Sequence, residues 1–146
     1  RSNGGGSLQE ADTMTGLFIR SGPTVQVKSA RRRANVLSDN NLELAWDGPM
    51  AVMVNRLSAS ASEIFAGAMQ DYGRALVVGN QTFGKGTVQS LLPPLPDAQA
   101  LKITTAYYYT PSGRSFHNSG IEPDINFSAD YDELLAFAEQ HLLKKK

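Results

Sequence analysis

The feature that most constrains the fold is a pair of short apolar runs separated by one amphipathic segment. Residues 50–54 and 75–78 are uninterrupted apolar stretches of strand length, the pattern of strands covered on both faces of a parallel sheet. Between them, Ser60-Ala61-Ser62-Glu63 has the spacing of a capping box, in which a serine accepts the N3 amide and a glutamate reaches back to the serine amide. Ile64, Phe65, Ala68, Met69 and Tyr72 then recur on one helical face, and Gly73 stands where a helix end favours a left-handed residue. Strand, helix and strand make a β-α-β unit, whose crossover is right-handed. A helix of about 12 residues rises roughly 18 Å and a strand of about five returns roughly 17 Å. The loop at 79–86 therefore comes back to the level of Ser60, beyond the C-terminal ends of both strands.

The rest of the chain is arranged around this unit. Residues 8–18 are predicted as a helix, 25–28 as a short strand and 29–41 as a polar loop, and Asp47-Gly48-Pro49 marks a turn. Residues 87–92 and 101–109 read as antiparallel strands, followed by a turn at Pro111-Ser112-Gly113. Residues 131–143 close the chain as an amphipathic helix with lysines at its end, where the helix dipole favours cations. The predicted class is α/β, with flanking antiparallel strands, and 146 residues suit one domain spanning 1–146. The glycine turn Gly4-Gly5-Gly6 precedes a helix, so a strand ending just before Arg1 would bring this turn to the same sheet edge.

Composition removes several function classes. Fourteen basic and fourteen acidic residues cancel, which points to no nucleic-acid or anionic-membrane partner. The basic runs at 31–33 and 144–146 read as solvated charge. No cysteine occurs, so disulfides, thiolate metal sites and a cysteine nucleophile are excluded. No stretch approaches the roughly 20 apolar residues of a membrane span, and the chain reads as soluble. It begins without methionine, and is expected to be an excerpt of a longer protein.

The catalytic candidates are few. No Gly-x-Ser-x-Gly, Ser-x-x-Lys or His-Glu-x-x-His pattern is present, and His117 and His141 lack a neighbouring acid at triad spacing and read as surface histidines. Ser60 reads first as a helix N-cap, a role compatible with that of a nucleophile, because the dipole and the Ala61 amide both favour an oxyanion there. Lys85, among Phe83, Gly84 and Gly86, reads on spacing alone as a flexible loop lysine. To act as a base it must be buried, since free lysine is neutral in only about one molecule in 2,500 at pH 7. Gln89 lies four residues further on in a predicted strand, where its amide could orient an amine. The stretch 79–85 also satisfies Gly-x-x-x-x-Gly-Lys. A phosphate-binding loop nevertheless fails twice, because Gly86 stands where Ser or Thr should hold magnesium and the following residues are not helical in type.

Taken together, Asn3-Gly4-Gly5-Gly6, Ser58-Ala59-Ser60-Ala61-Ser62-Glu63 and Thr82-Phe83-Gly84-Lys85-Gly86-Thr87-Val88-Gln89 resemble the motifs of the C-terminal processing (S41) peptidases. Residues 70–79 are similar to the tail-specific protease branch, and Gly120-Ile121-Glu122-Pro123-Asp124-Ile125 to the segment ending that family's core. The resemblance implies an αββ core of the Clp protease and crotonase type and a serine endopeptidase with a Ser-Lys dyad. Ser60 would be the nucleophile, Lys85 the base and Gln89 its orienting residue, with Ala61 and Gly6 or Gly5 supplying oxyanion-hole amides. Asp71 matches a position important in the family, and is expected to form a structural ion pair, with Arg74 as the candidate partner. The resemblance implies no cofactor or metal, polypeptide substrates taken near their C-terminus, and a periplasmic or cell-envelope location. It further implies a PDZ domain and a strand ahead of the glycine turn, neither of which is seen in this chain, and leaves room for membrane-associated or adaptor partners. A non-catalytic peptide-binding or scaffolding fragment is the alternative.

Overall fold

The apolar runs pair as their composition predicts. In the computed structural model, which describes residues 1–30, 33–92 and 99–143, β3 (Ala51–Val54) and β4 (Leu76–Gly79) run parallel, with Ala51 opposite Leu76 and Val54 opposite Gly79. The crossover between them is α2 (Ala61–Asp71). Both faces of β4 are covered, which is why its sequence does not alternate. Val77 packs with Val54 and Ala66 on the α2 side, while Val78 packs with Leu134 and Ala138 of α3 (Tyr131–Leu143) on the other.

Helix α2 is buried along most of its length because it lies between two sheets. Met69 and Ala68 face Ile19 and Ala75, whereas Ala61 and Ile64 join Ala11, Val25, Phe116 and Ile121. The second sheet is antiparallel, in the order β2 (Asn35–Asp39), β1 (Gly22–Lys28), β6 (Lys102–Tyr109), β5 (Thr87–Leu91). Helix α1 (Leu8–Gly16) packs on α2 and carries Ser7 as its N-cap, whose hydroxyl accepts the Glu10 amide at 3.3 Å. Arg74 ties these parts together by donating to three carbonyls: Phe18 after α1, and Trp46 and Gly48 in the segment before β3.

The expected elements are found with three differences. The stretch 29–41 is not all loop, because β2 occupies its second half as an exposed edge strand paired with β1. A two-residue strand, β7 (Ile125–Asn126), extends the parallel sheet beside β4. Helix α1 stops at Gly16, two residues short of the predicted end. Gly73 does adopt the left-handed conformation, at φ 59°, and its amide closes on Gln70 O. Residues 31, 32 and 144–146, which hold most of the two basic runs, and 93–98 lie outside the described residues. Among the described residues no helix is long and apolar enough to cross a membrane.

Candidate active site

The chain turns sharply between β3 and α2, and Ser60 stands at the turn with φ 60° and ψ −119°. A non-glycine residue in that region is strained by about 1–3 kcal/mol and is held there only by its surroundings. Two anchors are visible. The Ser60 amide donates to Glu63 Oε2 at 2.8 Å, and the Ala59 amide donates to Asn3 O at 3.0 Å. The capping box is therefore half made. Glu63 reaches back as expected, but its own amide donates to the Ser60 carbonyl at 2.9 Å rather than to the hydroxyl. The unusual backbone angles of Ser60 take its side chain off the helix end, and Ser60 Oγ makes no hydrogen bond among the described residues.

The glycine turn comes against this serine. A Cβ on Gly5, whose φ is 93°, would lie 2.5 Å from Ala59 O and 2.8 Å from both Ala61 N and Ser60 Cβ, so only glycine fits. Gly5 spends its own amide on Asn3 Oδ1 at 2.9 Å. The amides of Gly6 and Ala61 have no acceptor among the described residues, and remain as donors beside Ser60. Of the two glycines considered for an oxyanion hole, Gly6 is thus the one whose amide has no acceptor among the described residues.

The loop carrying Lys85 is bolted to the same turn through one buried carboxylate. Glu63 is 0 % exposed and accepts four donors: the amides of Ser60 and Lys85 on Oε2, each at 2.8 Å, the Gly84 amide on Oε1 at 2.6 Å, and the Thr82 hydroxyl on Oε1. Four donors fill the acceptor sites of a carboxylate. Ser60 and Lys85 thus have backbone amides sharing one oxygen. From behind, the loop is held by the 116–121 segment: the Asn118 amide donates to Gly84 O at 2.9 Å, and the Ile121 amide to Thr82 Oγ1 at 2.7 Å.

Other expectations are corrected here. Lys85 is exposed, not buried as a base would require, because only its neighbours Gly84 and Gly86 pack inward. Among the described residues its amine makes no hydrogen bond to Ser60. Gln89 is also exposed, on edge strand β5, at an irregular step where Val88 faces Ala106 and Gln89 faces Thr104. Such irregularities recur beside active sites because they re-aim side chains. Asp71 lies at the far end of α2 and its ion pair is with Arg114 at 2.8 Å, not with Arg74, whose guanidinium is spent on carbonyls. Burial pushes the Asp71 carboxyl up, but hydrogen bonds from Thr110 and Ser112 together with the Arg114 charge outweigh it and hold it below the ordinary carboxylate range. His117 is half-buried rather than on the surface: its ring centroid lies 5.2 Å from that of Tyr107, and its Nδ1 is buried without a partner among the described residues.

Sequence reasoning assigned Glu63 a local capping role and missed its structural one. The capping-box spacing was the only signal, since nothing local says that a loop some twenty residues later supplies the remaining donors. Among the described residues no three His, Asp or Glu side chains gather as a metal site would require.

Fold and edge define the class first: an α/β protein presenting a serine at a helix start to two free backbone amides. Over residues 1–127 the chain matches the sequence pattern of peptidase family S41, and it belongs to that family. It is 46% identical over 134 residues to the tail-specific protease of Haemophilus influenzae, covering 87% of this chain and 19% of that protein. It is 45% identical over 126 residues to the carboxy-terminal-processing protease of Bartonella bacilliformis, covering 86% of this chain and 29% of that protein. The chain therefore spans less than a third of these curated relatives. Among solved structures, the photosystem II D1 C-terminal processing protease superposes with a TM-score of 0.79 at 34% identity, over 88% of this chain and 33% of that one. The mixed α/β core expected from the motifs is the fold of these relatives.

Proposed function

We propose that this chain carries the catalytic residues of a serine endopeptidase acting on polypeptides near their C-terminus. The observation that carries the reading is the Ser60 turn: a strained serine with an uncommitted hydroxyl, beside the free amides of Ala61 and Gly6. Lys85 Nζ, as the neutral amine, takes the proton from Ser60 Oγ while the oxygen attacks the scissile carbonyl. The Ala61 and Gly6 amides stabilise the resulting oxyanion. As the C–N bond breaks, the Lys85 ammonium returns its proton to the leaving amine, and water then releases the acyl group from Ser60 by the same route. Gln89 orients the Lys85 amine.

Lys85 is exposed in this chain, so its desolvation falls to what covers it. A substrate strand lying across the sheet edge, or a further domain, excludes water and favours the neutral amine. Recognition near the C-terminus is supported by the names of the two curated relatives, tail-specific and carboxy-terminal-processing. A PDZ domain elsewhere in the protein, adaptor or membrane-associated partners and a cell-envelope location belong to the same reading.

The test is kinetic and uses the full-length gene product with an unstructured polypeptide substrate. Ser60→Ala abolishes turnover and labelling by a serine-directed phosphonate. Lys85→Arg is likewise inactive, because guanidinium stays protonated at working pH. If Lys85→Arg keeps more than about a tenth of wild-type kcat/KM, the Ser-Lys assignment is wrong. If wild type neither turns over nor takes the label, the peptide-binding alternative stands.

A further inference from the structure

His117 is a titratable side chain beside the lysine loop that none of the steps above uses. Its backbone packs against Gly86, where a Cβ would lie 3.0 Å from both His117 Cβ and His117 N. The Asn118 amide on Gly84 O and the Gly120 amide on Phe116 O, at 2.9 and 2.8 Å, fix the turn that carries it. Its ring lies tilted on that of Tyr107, 5.2 Å between centroids. Nδ1 is nevertheless buried with no partner among the described residues. A buried polar atom left unpaired is costly, and one held this firmly beside a catalytic loop calls for a donor.

The strand pairing limits which donor can come. Thr87 stands directly opposite Tyr107, and cross-strand partners share a face. Strand β5 alternates from Thr87, so Gln89 is on that face too; the register slip beside it is taken up on β6, which passes from Ala106 to Thr104. Gln89 therefore shares the face on which Tyr107 meets His117, just beyond Lys85. The hydroxyl of Thr87 sits on Cβ and that of Tyr107 at the far end of a rigid ring, so neither can fold onto Nδ1. The Gln89 side chain is long and exposed, with no partner among the described residues. Its amide also has two different ends: the oxygen can accept from an amine while the NH2 group donates elsewhere.

Resting on the peptidase reading, we propose that His117 is a positioning residue for the base: its Nδ1 accepts from the Gln89 NH2 group, which turns the Gln89 oxygen to the Lys85 amine. The imidazole is neutral in this arrangement, with its proton on Nε2. Acidification puts a proton on Nδ1, which replaces the acceptor by a donor and sets a second positive charge beside Lys85. The titratable and charged groups on the elements packed against it do not offset that charge. They are Lys85 on the loop, Lys102, Tyr107, Tyr108 and Tyr109 on β6, and Arg114 in the same segment, which is paired with Asp71. Glu63, across the loop, has its acceptor sites filled.

The experiment measures kcat/KM of the full-length gene product on an unstructured polypeptide, with thermal melts to check folding. His117→Phe keeps a ring against Tyr107 and removes the acceptor; it should melt near wild type while kcat/KM falls about ten-fold through lost orientation. His117→Asn restores most of that loss, because its Oδ1 can stand where Nδ1 did and does not titrate. The ratio of wild type to His117→Asn then falls by up to about ten-fold on acidification. In a Gln89→Ala background, His117→Phe costs less than about two-fold further. The pH comparison needs only His117→Asn, so it decides the matter even if His117→Phe folds poorly. A loss undiminished by Gln89→Ala, a fully active His117→Phe, or parallel pH profiles for wild type and His117→Asn overturns the positioning role and leaves the peptidase reading standing. Turnover surviving Ser60→Ala, or absent from wild type, overturns both.

Discussion

Helix α2 carries a carboxylate in its first turn and another at its last residue, and the two are held in different ways. Glu63 is fully buried and accepts only neutral donors, three amides and one hydroxyl. Asp71 accepts the Ser112 amide at 2.9 Å and the Arg114 guanidinium at 2.8 Å. The helix dipole accounts for the contrast. Its positive end supports a negative charge at Glu63, so neutral donors suffice there, whereas its negative end opposes Asp71, which draws on a full cation. The two ends also brace the site differently. Glu63 joins the serine turn to the lysine loop directly, while Asp71 holds residues 112–114, from which the chain runs on to the segment behind Gly84.

Substitutions at the two ends should separate these roles. The largest effect is expected for Glu63→Gln, where the amide keeps the volume but turns an NH2 group towards donors. At least two buried donors lose their acceptor, at about 1–3 kcal/mol each, so stability falls by about 2–6 kcal/mol. With the lysine loop released, kcat/KM falls by about 100-fold. Urea denaturation and peptide kinetics on the full-length gene product check both; wild-type activity in a folded Glu63→Gln protein would remove Glu63 from the account of the site.

Asp71→Asn is expected to cost less, about 1–2 kcal/mol, because Arg114 is 43% exposed and its pairing is weakened by water. Activity should fall with it by roughly ten-fold through the 112–121 segment, about the effect of a sub-ångström displacement. A pH signature distinguishes this end from the other. The folded Asp71 carboxyl lies below its unfolded value of about 3.9, so its stabilisation is complete above that pH and is lost as pH falls through the folded value. Wild type should therefore lose stability on acidification through that window more steeply than Asp71→Asn. Parallel acid-denaturation curves for the two proteins would refute this.

The smallest effect on stability belongs to Ser60, whose replacement abolishes turnover. Because its hydroxyl makes no capping bond, Ser60→Ala should change stability by less than about 0.5 kcal/mol, below the usual worth of an N-cap. Ser60→Gly, which relieves the positive φ, should stabilise by about 1 kcal/mol. Thermal melts of the two variants are the measurement. A loss of a full cap's worth in Ser60→Ala would mean that the hydroxyl is committed to the helix end in solution.

Much of this architecture is legible in the amino-acid sequence. The parallel pair β3 and β4, helix α2 with its Gly73 terminus, and α3 at its observed bounds follow from apolar runs, helical period and turn chemistry, all read within a dozen residues. Strand β2 is not legible there, because Asn35, Val36 and Ser38 are exposed and only pairing with β1 makes the segment a strand. Strand β7, two residues long, carries no period at all.

For the site, the sequence by itself determined which side chains are present and which stretches are turns: a glycine turn at Gly4-Gly5-Gly6, Ser60 at a helix start, Lys85 between glycines, and no cysteine to compete as nucleophile. Tertiary structure alone decided how they are joined. The strain at Ser60, the four donors on Glu63, the choice of Arg114 over Arg74 for Asp71, the freedom of the Gly6 amide and the exposure of Lys85 all depend on contacts between residues distant in the chain. Propensity and spacing act over a helical turn or a strand, whereas a buried carboxylate takes whichever donors the packed elements bring within about 3 Å of it.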